Sequence, residues 1–193
     1  MKHKKIVSVT VALFLVFTTV GVVLAIERIT NGDFEINVSG WSTSAGTIVH
    51  ETTTVHTGSG AAAVTNTSAS TTNSSGGVLQ CIDLPSSGSG DYFTAKGWIY
   101  VPDGIPTNFT GAYIRVRYYA LDNCGTTIGS NLDSALITTS GSWQEVTNIA
   151  PVPAAAESVQ IHYRTLSDIT GTLKATGMGK PSLSRCSNNS RPS

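Results

Sequence analysis

The feature that most constrains this chain is an alternation of apolar and polar residues in several segments that end at turn-forming residues. Residues 93–101 alternate in this way and end at Pro102-Asp103-Gly104, and residues 113–119, 143–149 and 159–164 show the same period. A period of two places successive side chains on opposite faces of a β-strand. Each segment therefore predicts a strand with one buried face. The residues predicted to be buried are Phe93, Ala95, Ile99, Val101, Ile114, Val116, Tyr118, Val146, Val159, Ile161 and Tyr163.

The remaining segments favour the same class of fold. Residues 78–84 and 173–183 predict further strands, and no helical stripe occurs after the first 25 residues. Pro151 and Pro153 favour a loop at the one short stretch that could form a helical turn. Strands that follow one another with turns between them predict an all-β fold, an antiparallel β-sandwich.

Residues 1–25 are typical of a secretory signal peptide. Lys2, Lys4 and Lys5 precede an uncharged, largely apolar run, and Val23-Leu24-Ala25 resembles a cleavage site. The run is long enough for an uncleaved membrane anchor to be the alternative. We predict cleavage, a single domain over residues 26–193, and a secreted or cell-surface location.

The charge of the remaining chain argues against nucleic acid as a partner. Removal of the three leader lysines leaves nine basic residues against 12 acidic ones, a net charge of −3. No dense basic run is present, whereas phosphate backbones are bound by clustered lysine and arginine. We expect a monomer without membrane contact after cleavage.

The three cysteines are Cys81, Cys124 and Cys186. In an exported protein, one disulfide and one remaining thiol is the simplest arrangement. The positions of Cys81 and Cys124 near the ends of predicted strands favour that pair, with Cys81–Cys186 as the alternative. The spacing does not favour zinc.

Four motifs occur in an order that resembles a known family. They are Asn31-Gly32-Asp33-Phe34-Glu35 with Gly40-Trp41-Ser42, the segment from His56-Thr57-Gly58 to Val64, residues 93–101, and Gly141-Ser142-Trp143 followed by Pro151-Val152-Pro153. The set resembles carbohydrate-binding modules of families four, nine and twenty-two, which are attached to bacterial xylanases and cellulases. The resemblance implies a jelly roll that binds glycans without cutting them.

A structural calcium is a second expectation. Asp33 and Glu35 are hard oxygen donors beside backbone carbonyls, which suits calcium. The family commonly supplies a further aspartate near its end, where this chain has Gly179 and Lys180. The Lys180 ammonium could replace the ion and pair with Asp33 or Glu35, or it could be a plain surface lysine.

The polar faces of three predicted strands carry both aromatic residues and cations. If these strands are neighbours, their side chains form one groove floor that would bind sugars, and acidic sugars in particular. The alternatives are that Trp98 belongs to the core and that Arg115 and Arg117 neutralise carboxylates across the sheet. The candidate ligand-binding residues are Lys96, Trp98, Tyr100, Tyr113, Arg115, Arg117, Tyr119, Gln160, His162 and Arg164.

The sequence does not favour an enzyme. A glycosidase needs two carboxylates across a groove, and the acidic residues fall mostly in predicted turns. Two hypotheses therefore stand. The first is a secreted, non-catalytic module that binds polysaccharide, with acidic chains as the expected class. The second is a structural or adhesive β-sandwich of the cell surface without sugar binding.

Overall fold

The structure is a computed structural model that describes residues 29–66, 74–84, 92–104 and 109–167, and the backbone of residues 173–186. It contains ten strands and a short 3-10 turn, Asp122–Cys124. The strands are β1 (Ser42–Ser44), β2 (Gly46–Glu51), β3 (Ala61–Asn66), β4 (Ser74–Asp83), β5 (Tyr92–Tyr100), β6 (Phe109–Tyr119), β7 (Thr127–Asp133), β8 (Trp143–Pro151), β9 (Ser158–Ser167) and β10 (Leu173–Cys186).

The strands form two five-stranded sheets, and every pairing between them is antiparallel. The first sheet has the order β1-β4-β9-β6-β7, and the second has the order β2-β3-β10-β5-β8. Strands that are consecutive in the chain often belong to different sheets, so the chain repeatedly crosses between the layers. The predicted antiparallel β-sandwich is confirmed.

The core lies between the two sheets and contains the residues that the alternation predicted. All eleven are buried, and none is more than 3% exposed. Tyr163 extends from β9 of the first sheet towards β5 of the second. Its hydroxyl occupies the space that a Cβ atom at position 97 would need, which explains why Gly97 interrupts β5. Tyr118 crosses the core at another point and donates a 3.0 Å hydrogen bond to the carbonyl of Ala150.

The predicted strands near 78–84, 93–101, 143–149 and 173–183 correspond to β4, β5, β8 and β10. Three strands were not predicted: β1, β2 and β7. In β7, Ile128 and Leu132 are half-buried, but Gly129 has a φ of +68° and the pairing with β6 shifts register between Val116 and Tyr118. This irregularity breaks the simple alternation that reveals the other strands.

The segment before β1 is fastened to the sandwich by one buried side chain. Gln80 accepts a 2.8 Å hydrogen bond from the amide of Thr30, and its amide nitrogen donates to the carbonyls of Thr30 and Gly40 at 2.9 and 3.0 Å. Gln80 is only 6% exposed. We refer to this arrangement as the Gln80 clamp.

The predicted signal peptide, residues 1–25, lies outside the described residues. Across the described part of the chain, no helix is long and apolar enough to span a membrane.

Candidate functional site

The structure divides the ten predicted ligand-binding residues between two surfaces. Strands β6 and β9 are neighbours in the first sheet, whereas β5 belongs to the second. The expectation of one shared groove floor is therefore wrong for Lys96, Trp98 and Tyr100. Periodicity shows which side chains of one strand share a face, but it does not show which strands pair. The seven residues that stay together are Tyr113, Arg115, Arg117, Tyr119, Gln160, His162 and Arg164, and we call this surface the basic face.

The basic face is built in rows because β6 and β9 pair in register. Tyr113 is opposite Arg164, and Arg117 is opposite Gln160. Between these rows, Arg115 is opposite His162. Directly opposite residues in an antiparallel pair lie on the same side of the sheet. The register therefore brings three guanidinium groups around a single imidazole.

Strand β4 forms a low border on the other side of β9. Gly77 is opposite Arg164 and adds no side chain there, while Leu79, which is half-buried, is opposite His162. Cys81 is opposite Gln160. The border next to Arg164 and His162 therefore carries small or apolar residues.

Arg115 of the basic face is paired with a carboxylate. The Nε and Nη2 atoms of Arg115 donate to the two carboxylate oxygens of Asp133 at 2.6 and 2.7 Å, a two-pronged ion pair. This hydrogen bonding raises the pKa of Arg115. The alternative that Arg115 pairs with a carboxylate across the sheet is confirmed. Asp133 was missed as a member of this surface because it ends the unpredicted strand β7.

The tyrosines of the basic face are buried beneath the arginines. Tyr113 and Tyr119 are only 5% and 6% exposed. The guanidinium carbon of Arg115 lies 5.5 Å from the Tyr113 ring centre, and that of Arg117 lies 5.9 Å from the Tyr119 ring centre, both within cation–π range. These rings support the cations and do not present a flat surface to solvent.

His162 occupies the centre of the basic face and is 3% exposed. Burial, followed by the positive charges of the three surrounding arginines, lowers its pKa to about 3. The imidazole is therefore neutral at neutral pH. Burial is also the largest cause of a lowered pKa at Arg164. The site is a cluster of cations around an uncharged ring.

Among the described residues, Nε of Arg117 and Nε2 of His162 are buried nitrogen atoms of this surface that lack a hydrogen-bond partner. A buried polar atom without a partner costs roughly 1–3 kcal/mol. By contrast, Gln160 is oriented by its neighbour, because the Tyr119 hydroxyl donates to its Oε1 at 3.2 Å. The amide nitrogen of Gln160 is the donor end of that group.

One end of the basic face is closed by a covalently fixed loop. Cys81 in β4 is bonded to Cys124, with a Cα–Cα distance of 5.9 Å, so the predicted pairing is confirmed and the Cys81–Cys186 alternative is wrong. The amide of Asn123 donates to the Asp83 carboxylate at 2.8 Å, and the amide of Cys124 donates to the Ser158 hydroxyl at 3.0 Å. The loop is therefore held to both β4 and β9.

The outer face of the second sheet carries a separate aromatic cluster, formed by His56, Trp98, Tyr100 and Trp143. His56 is stacked on Trp98 with ring centres 3.9 Å apart, and Tyr100 lies 5.6 Å from Trp143. Next to the cluster, Lys96 forms a 2.7 Å ion pair with Glu145. These groups bind one another, and His56 covers one face of the indole of Trp98.

The calcium expectation is not tested by the structure. Glu35 accepts hydrogen bonds of 2.7 Å from both the amide and the hydroxyl of Ser59. Gly58 is needed there because a Cβ atom would overlap the Glu35 carboxylate. Within the described ranges, no group of three or more His, Cys, Asp or Glu side chains is placed to hold a metal. Asp33 and Glu35 therefore stay predicted calcium ligands. Only the backbone of Lys180 is described, so its predicted pairing with these carboxylates is not tested either.

The sandwich is similar to several solved structures. A xylan-binding domain from Paenibacillus barcinonensis, the second family 22 module of Xyn10C, matches with a TM-score of 0.58 and 14% identity, over 80% of this chain and 97% of that domain. A family 61 module in complex with β-1,4-galactotriose matches with a TM-score of 0.51 and 17% identity, over 84% of this chain and 100% of that module. The fold is one that carbohydrate-binding modules share.

The fold also occurs within larger proteins. The active domain of tailspike protein 4 from bacteriophage CBA120 matches with a TM-score of 0.60 and 15% identity over 83% of this chain. This chain spans only 21% of that protein. No protein-family model matches the sequence, and no curated protein does.

Proposed function

We propose that this protein is a secreted, non-catalytic module that binds an acidic polysaccharide on the basic face. The observation that carries the proposal is the charge of this surface. Three guanidinium groups surround a neutral imidazole, and Asp133 binds Arg115 with both of its carboxylate oxygens. Arginine is suited to carboxylate groups because its planar fork matches their two oxygens.

The burial of Tyr113 and Tyr119 affects the kind of glycan that fits. A neutral polysaccharide is usually held by rings that stack on an exposed aromatic side chain, and neither tyrosine offers such a surface. Charge and hydrogen bonding are the means of recognition that remain. We therefore expect acidic chains to bind more tightly than neutral chains of the same backbone.

The arrangement also supports a non-catalytic role. Glycoside hydrolysis uses two carboxyl groups that face each other across the sugar. On the basic face, the Asp133 carboxylate binds Arg115 through both of its oxygens and is therefore not available to act on a sugar. The disulfide suits the oxidising environment outside the cell, which agrees with the predicted signal peptide.

The burial of Tyr113 and Tyr119 also favours the second candidate, a structural or adhesive sandwich without a sugar site. In that case the arginines would serve only to cover Tyr113 and Tyr119. The two candidates differ in whether any glycan binds to the purified protein.

The test is a set of binding isotherms with polygalacturonate, glucuronoxylan and unsubstituted xylan at low and high salt. We expect the acidic chains to bind, and their affinity to fall as salt rises, because exposed charges are screened. Arg164→Gln should weaken the binding of acidic chains. Lys96→Gln is the matched control, since it removes the same charge on the opposite sheet. If none of the chains binds, the structural candidate replaces this proposal.

A further inference from the structure

The Nε of Arg117 and the Nε2 of His162, both buried and without a hydrogen-bond partner among the described residues, belong to neighbouring positions of the sheet. Arg117 and His162 are diagonal neighbours, because Arg117 is opposite Gln160 and His162 follows two residues later on β9. Diagonal neighbours in an antiparallel pair are roughly 7–8 Å apart at their Cα atoms, within reach of a long side chain. The Nε of Arg117 and the Nε2 of His162 can therefore address one small group.

The charges of Arg117 and His162 determine which chemical group of a ligand could bind between them. Arg117 carries a full positive charge, and the neutral His162 can donate from Nε2 without adding a second charge to be buried. Two hydrogen-bond donors require a ligand group with acceptor oxygen atoms. Asp133 does not compete for this place, because both of its oxygens are bound to Arg115.

We infer that the oxyanion of an acidic sugar, the carboxylate of a uronate, binds between Arg117 and His162 and accepts a hydrogen bond from each buried nitrogen. This inference rests on the proposed glycan-binding function and assigns its anchoring point. With its proton on Nε2, His162 would donate to the bound carboxylate together with Arg117, so that both buried nitrogen atoms, which lack a partner among the described residues, would be satisfied. That gain is specific to a ligand with an acceptor at this position. Leu79, opposite His162, supplies an apolar surface on the β4 side for the ring carbons.

Variants at Arg117 distinguish the contribution of its positive charge from that of its Nε–H donor. Arg117→Lys keeps the charge but removes the Nε–H group, whereas Arg117→Gln removes both. We expect Arg117→Lys to lower the affinity for polygalacturonate by about tenfold and Arg117→Gln by more. The affinity for unsubstituted xylan should change by less than twofold in either variant. Wild-type affinity in Arg117→Lys would overturn the inference, because charge alone would then be sufficient.

Variants at His162 test the second donor. His162→Gln retains a neutral N–H donor and should keep the affinity for polygalacturonate within about threefold, whereas His162→Phe lacks the donor and should lose about tenfold. Each variant is first checked by circular dichroism for an intact fold. Should His162→Phe misfold, the nitrogen-15 shift of His162 Nε2 in the wild type, titrated with glucuronic acid, gives the same information. An unchanged shift at saturation would overturn the inference.

Other outcomes distinguish this inference from the function on which it rests. If the wild type binds no glycan, the proposed function fails. If acidic chains bind but every Arg117 and His162 variant behaves as the wild type does, the function stands and the anchoring point is wrong. A sulfated chain without carboxylates provides the last comparison. A preference for it over polygalacturonate in the wild type would contradict the assignment to a uronate.

Discussion

The disulfide between Cys81 and Cys124 is expected to supply a large share of the stability of this domain. The two cysteines are 43 residues apart in sequence. The chain-entropy model assigns about 4 kcal/mol at 25 °C to a bridge that closes a loop of this length, through restriction of the unfolded chain. For a domain of this size, 1 kcal/mol changes the Tm by about 2–4 °C. The double variant Cys81→Ala/Cys124→Ala should therefore melt roughly 8–16 °C lower than the wild type.

The assay is thermal unfolding followed by circular dichroism, with and without reductant. Reductant should lower the Tm of the wild type and leave that of the double variant unchanged. The double variant is preferred to a single one, because a single free cysteine could pair with Cys186. Peptide mapping of Cys186→Ala under non-reducing conditions should still give the bridged Cys81–Cys124 fragment. A loss of less than about 1 kcal/mol in the double variant would refute the entropic reasoning, and a Cys81–Cys186 fragment from the wild type would refute the pairing.

Three further outcomes follow from the two faces of the sandwich. Asp133→Asn breaks the ion pair with Arg115 and should raise the affinity for polygalacturonate by about two- to fivefold in binding isotherms at low salt. The gain should be lost at high salt. An unchanged affinity would show that Arg115 does not contact the ligand. Trp98→Ala removes the stack on His56 and should cost about 1–3 kcal/mol in chemical denaturation without changing the affinity for any glycan; a loss of affinity would return this residue to the binding site. Burial lowers the pKa of His162 to about 3, so below pH 6.5 the unfolded chain binds a proton at this residue and the folded chain does not. Between pH 7 and pH 5 the free energy of unfolding of the wild type should therefore fall by about 2 kcal/mol more than that of His162→Gln. Parallel stability curves for the two proteins would contradict this.

The sequence predicted the fold well because the core depends on local alternation. Each residue that shares a phase with Ile114 or Ile161 faces the other sheet, and this information lies within one strand. The disulfide was predicted for a similar reason, since Cys81 and Cys124 both lie near strand ends.

The candidate site was predicted only in part because it depends on which strands are neighbours. Trp98 and Arg115 have the same polar phase, but β5 and β6 belong to different sheets. Asp133 was missed because Gly129 and a shift in register obscure the alternation of β7. The stacking of His56 on Trp98 joins a loop to a strand 42 positions later, a contact for which the local sequence carries no signal.

The Gln80 clamp determines how the sandwich responds to a pull on the chain that precedes Ile29. Tension at that point is delivered through Thr30 to the middle of β4, a strand flanked by β1 on one side and β9 on the other. The load therefore reaches an interior strand before it reaches β1, which has only three residues and would unzip at a small force. The third bond, from the amide nitrogen of Gln80 to the carbonyl of Gly40, shields the intervening segment from the same tension. A domain held at its amino-terminal side would thus resist mechanical peeling.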